Sequence, residues 1–135
     1  MKNIECFNLV ASHVLLALLE AFPKPLLLSS EKFQSEIPNL PEDCRWENPV
    51  YINLTACTVR YLIDEGYVRA SGDSRGSVFS NVVLTAKGFS ALNRKLEALE
   101  PSKTLAERLR ETGKIIAPEV AGAIVARFLQ SISMA

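Results

Sequence analysis

The sequence predicts a mainly α fold with one small β-hairpin, an α+β arrangement completed by a C-terminal helical extension. Three observations predict it. Apolar residues recur at spacings of three and four near both ends, through Ile4, Phe7, Val10, Val14 and Leu18 and again through Val120, Ile124 and Phe128. A loop dense in Gly, Ser and Asp, residues 71 to 77, separates two short runs rich in Val, Tyr and Phe. Caps and breakers punctuate the segments between them. A length of 135 residues with 48% hydrophobic and 22% charged residues fits one globular unit with a core of its own.

The first helix is expected over residues 3 to 22. Leu15, Leu16 and Leu19 widen its apolar arc beyond one stripe, so it should be buried on several sides. Pro23 and Pro25 end it. Leu26-Leu27-Leu28 reads as a short strand, and Ser29 or Ser30 caps a brief second helix containing Glu31, Lys32 and Phe33. Pro38 and Pro41 close that helix. Residues 38 to 52, with Trp46, Asn48, Pro49 and Tyr51, form a connection too long for a tight helix-turn-helix and read as an insertion.

Asn53 caps a third helix, Leu54 to Glu65, which Gly66 terminates in the left-handed conformation. Tyr67-Val68-Arg69 begins the hairpin, and Val78-Phe79 through Val82-Val83-Leu84 returns it. Thr85 caps a further helix from Ala86 to about Leu99. Thr104 caps the next, through Arg110, and Pro118 opens the last, which runs to about Ser131.

Thr58 to Leu92 reads TVRYLIDEGYVRA, then SGDSRGS, then, after Val78-Phe79-Ser80-Asn81, VVLTAKGFSAL. This resembles the winged-helix superfamily, and within it an uncharacterised group of bacterial winged-helix proteins with an LIDEG…VVLTAKG core and a small-residue tail. The resemblance covers roughly residues 7 to 96. It implies a winged-helix domain over residues 1 to 100, the hairpin being the wing, with the 38 to 52 insertion as a departure. Residues 101 to 135 then form a helical tail for packing or dimerisation.

Charge narrows the choice of partner. Fifteen basic and fifteen acidic residues balance, so the chain lacks the basic surplus of many nucleic-acid binders. Residues 53 to 94 carry five cations against three carboxylates, whereas residues 29 to 48 carry two against five. No catalytic constellation emerges. His13 is the sole histidine, with no flanking nucleophile motif, and it reads as a core or boundary residue. Neither GxxxxGK[ST] nor GxGxxG occurs, and three scattered cysteines with one histidine make a poor zinc set. No enzyme activity, cofactor or metal is expected.

Cys6, Cys44 and Cys57 are odd in number and widely spaced. They are expected to be small buried thiols in a reducing cytoplasm. The run Val14 to Leu19 is not expected to be a signal peptide, because Glu5 and Glu20 flank it and Phe22-Pro23-Lys24-Pro25 follows. Pro118, Glu119 and Arg127 break the apolar stretch from 115 to 134, so no membrane span is expected there.

Two readings of function follow. In the leading one the resemblance implies a DNA-binding transcriptional regulator, with the third helix in the major groove. Thr58, Arg60 and Tyr61 would face the groove, and Arg75 and Lys87 would meet phosphate. In the second the domain is a protein-protein interaction module, of an immunity, antitoxin-like or phage-encoded kind. Its third-helix face (Leu54, Cys57, Thr58, Tyr61) and the acidic 38 to 47 segment would then engage a protein. Val120, Ile124 and Phe128 on the last helix would support a homodimer or pack within the chain.

Overall fold

The structure is a computed structural model that describes residues 2–38, 40–45, 53–71, 78–93, 95–96, 100–112 and 118–133. Among these, six helices accompany a three-stranded antiparallel sheet and a separate two-stranded ladder. The elements are α1 (Lys2–Ala21), β1 (Leu26–Ser29), α2 (Ser30–Ser35), α3 (Leu54–Asp64), β2 (Val68–Ser71), β3 (Val78–Leu84), α4 (Ala86–Leu92), β4 (Lys95–Leu96), β5 (Glu100–Thr104), α5 (Leu105–Thr112) and α6 (Pro118–Ser133). The α+β class expected from periodicity is therefore present.

α1 is the central post. Val10, Val14, Leu15 and Leu18 are fully enclosed, which follows from the wide apolar arc of the sequence. α3, α5, α6 and β3 all pack against it. By length and composition α1 is apolar enough to cross a membrane, but 61% of its most apolar window is buried inside the fold. A buried post needs those apolar residues to form a core.

The sheet has the order β1-β3-β2, with β3 central and antiparallel to both neighbours. β3 carries an extra residue relative to each partner: Leu26 and Leu28 oppose Val82 and Phe79, while Arg69 and Ser71 oppose Val83 and Ser80. Asn81 lies at the bulge with φ 52°, a conformation asparagine tolerates. Its side-chain amide donates to Ser71 Oγ at 2.8 Å. The inward side chains Phe79, Val82 and Leu84 join the core.

The tail belongs to that same core. Leu109, Ala121, Ile124 and Phe128 are buried in one cluster with Val10, Val14 and Tyr67. The Phe128 ring lies 4.4 Å from the Tyr67 ring. The Thr104 cap of α5 is reciprocal: Thr104 Oγ1 accepts from the Glu107 N–H and Glu107 Oε1 accepts from the Thr104 N–H.

Two expectations are corrected. α4 ends at Leu92 rather than near Leu99, and the chain turns into β4, which pairs with β5. The spacing of Leu92, Leu96 and Leu99 suits a helix, but local antiparallel pairing of β4 with the nearby β5 prevails there. Cys6 and Cys44 are also not free thiols. They form a disulfide between residues 38 apart, which ties α1 to the 3-10 turn Glu42–Cys44. Sequence spacing alone does not reveal that α1 and this turn meet. Unpaired cysteines were the basis for expecting a reducing compartment, and the disulfide removes it. Cys57 remains a free thiol.

Candidate interaction site

α3 is the element that the sequence singles out, and its two ends are fixed by different chemistry. At the N-terminus, Asn53 Oδ1 accepts from the Ala56 N–H at 2.8 Å, and Asn53 Nδ2 donates to Ser30 Oγ at 3.1 Å. Gln34 Oε1 accepts from both the N–H and the hydroxyl of Thr55, at 3.1 and 3.2 Å. All four side chains are buried, so each bond satisfies a group that could not otherwise reach water. This network fixes how α2 crosses the start of α3.

At the C-terminus, Gly66 adopts φ 84°. The Gly66 N–H donates to the Ile63 carbonyl and the Tyr67 N–H to the Leu62 carbonyl, both at 3.0 Å, which closes the last turn. Lys87 completes this end. Its Nζ donates to the Glu65 carbonyl at 2.8 Å and lies 4.9 Å from the centroid of the Tyr67 ring. A cation there also offsets the partial negative charge of the helix end. Thr85 Oγ1 donates to the Gly66 carbonyl at 2.7 Å and accepts from the Gly88 N–H at 3.1 Å. Gly88 must lack a side chain, because a Cβ there would collide with the Tyr67 carbonyl.

The expected contact residues are thus spread over different environments. Thr58 is 1% exposed, and its hydroxyl has no hydrogen-bond partner. It was expected to face a partner, but α1 packs along this quadrant of α3 and encloses it together with Leu54. Arg60 is half-buried, with its guanidinium 5.7 Å from the centroid of the Phe79 ring on β3. Tyr61 is 43% exposed and meets Phe7 of α1 edge-to-face at 5.5 Å. Lys87 serves the end of α3 as described. Arg75 lies outside the described residues, as do Trp46 and Tyr51.

An open groove of about 470 Å³ runs where α1, α3 and α6 meet. Ile4 (53% exposed), Phe7, Cys57, Tyr61 and Leu129 line it, with the amides of Asn3 and Asn8. The apolar α3 face read from the sequence is therefore partly covered, by α1. The α1 side of the groove was missed because Ile4 and Phe7 fit the core stripe of a helix and carry no local sign of standing at its edge. On α6, Ile124 and Phe128 are buried within the chain and Val120 is half-buried. Among the described residues no group of three or more His, Cys, Asp and Glu could hold a metal ion.

Comparison with protein-family models, with curated proteins and with solved structures returns no significant match.

Proposed function

We propose that this chain is a non-catalytic, winged-helix-type interaction module that engages a protein partner through the exposed edge of α3. The order α1-β1-α2-α3-β2-β3, with β3 between β1 and β2, supports the winged-helix reading that the sequence resemblance implies. One observation carries the choice of partner. The exposed edge of α3 presents Tyr61, Asp64 and Glu65, whereas Arg60 lies against Phe79 and Lys87 holds the Glu65 carbonyl. DNA recognition needs cations free to meet phosphate and base edges. An aromatic residue beside two carboxylates, next to exposed Ile4, instead suits a protein surface that combines apolar and basic side chains.

The DNA-binding regulator is the second reading. It draws on the same element order and on Arg75 in the hairpin loop. Titration with random duplex DNA separates the two. The protein-partner reading expects no binding at micromolar protein in low salt. Binding that weakens steeply with salt and falls on Arg75→Ala would replace it with the regulator reading. Pairing of two copies through α6 has the half-buried Val120 and Leu129 to work with, because Ile124 and Phe128 face inward.

A further inference from the structure

A second groove, remote from the α3 edge in its lining, lies between α1 and α2. It measures about 420 Å³ and is lined by His13, Leu16, Ala17, Glu20, Phe33, Glu36, Ile37 and Pro38. That volume falls in the range of small-molecule sites. Leu16, Ala17, Phe33 and Ile37 give it apolar walls. Glu20 on α1 and Glu36 at the end of α2 are exposed and place two carboxylates at its rim. Lys32, one turn before Glu36, does not line this groove but lines an adjoining cleft beside β1 that Phe33 and Glu36 also border.

His13 makes the groove more than an acidic rim. It is 9% exposed yet lines the cavity, and among the described residues no hydrogen bond or ion pair engages it. Burial pushes its imidazole below the ordinary histidine pKa, so at neutral pH the ring is uncharged and adds no positive charge to the site.

We propose that this groove binds a hydrophobic cation, a small molecule with an apolar body and an ammonium or amidinium head. The body rests on Phe33, Leu16 and Ile37, the head sits between Glu20 and Glu36, and the neutral His13 ring supplies one hydrogen bond. Two carboxylates at the rim of a groove whose own lining holds no Lys or Arg select positive charge. The apolar walls select against strongly hydrated ions such as a free metal cation. This inference does not depend on what α3 binds.

His13 provides the test, because a single histidine gives one unambiguous imidazole resonance. Phenethylamine is titrated into the intact protein while the His13 Cε1–Hε1 signal is followed by NMR, with phenylacetate and 2-phenylethanol as matched anionic and neutral probes. The expected result is a saturable shift with phenethylamine, weaker binding of 2-phenylethanol and none of phenylacetate. The double variant Glu20→Gln, Glu36→Gln should bind phenethylamine about three- to tenfold more weakly, and both substitutions are at exposed positions that leave folding intact. No saturable shift up to about 10 mM, a range that detects even millimolar affinity, would overturn the proposal. So would equal binding of phenylacetate, or unchanged affinity in the double variant.

Discussion

The two sides of the molecule are closed by different means. On the tail side, α6 lies on α1 through apolar packing: Ala121, Ile124 and Phe128 fill the space beside Val10, Val14 and Tyr67. On the α2–α3 side the closure is polar and covalent, with Ser30, Gln34, Asn53 and Thr55 hydrogen-bonded in a buried network and Cys6 joined to Cys44. Apolar packing is proportional to area and tolerates small shifts, whereas buried hydrogen bonds demand fixed geometry. The comparison teaches that α3, the element proposed to meet a partner, is held in one orientation by directional contacts at both ends. The tail supplies bulk stability.

The largest effect should come from emptying the tail side. Phe128→Ala is expected to cost about 3–5 kcal/mol, because its ring is fully enclosed and neighbours on several elements cannot all close the cavity. Urea unfolding checks this. A loss below about 1 kcal/mol would mean that the tail is not part of the core.

Reduction of Cys6–Cys44 is expected to cost somewhat less, about 2–4 kcal/mol, since it releases a closed loop in the unfolded chain. Thiol titration of the unreduced, denatured protein should find Cys57 alone reactive. Three reactive thiols would contradict the disulfide. Gln34→Ala comes next, at about 1–3 kcal/mol, because the Thr55 N–H and hydroxyl lose their shared acceptor in a dry setting. If Gln34→Ala matches wild type in urea, the polar network does not hold α3.

The same contrast explains what could be read from the sequence. The apolar stripes of α1 and α6 were legible because burial repeats at helical spacing. The Asn53, Thr85 and Thr104 caps and the Gly66 stop were legible because each acts within a few residues of itself. Gln34 was not, since a buried glutamine in a polar six-residue helix is spelled like an exposed one. The disulfide depends on segments that meet only in the fold, whereas the β4–β5 ladder is local and was hidden by leucines that also suit helical spacing. At the candidate site, Tyr61 was placed at the surface from helical projection alone, and it is there. Projection could not place Thr58, Arg60 or Lys87. Their surroundings are set by α1, by Phe79 on β3 and by the end of α3, all distant in the chain or across a turn.

The central claim is that Arg60 and Lys87, the cations engaged at α3, serve the fold rather than a nucleic acid. The most direct measurement is on Lys87→Met, with melting temperature and affinity for random duplex DNA at low salt recorded side by side. The account predicts a melting temperature lower by about 2–5 °C, for the loss of under about 1 kcal/mol at the helix end, and no DNA binding by either protein at micromolar concentration. An unchanged melting temperature together with a severalfold loss of salt-sensitive DNA binding would contradict it and identify Lys87 as a phosphate contact.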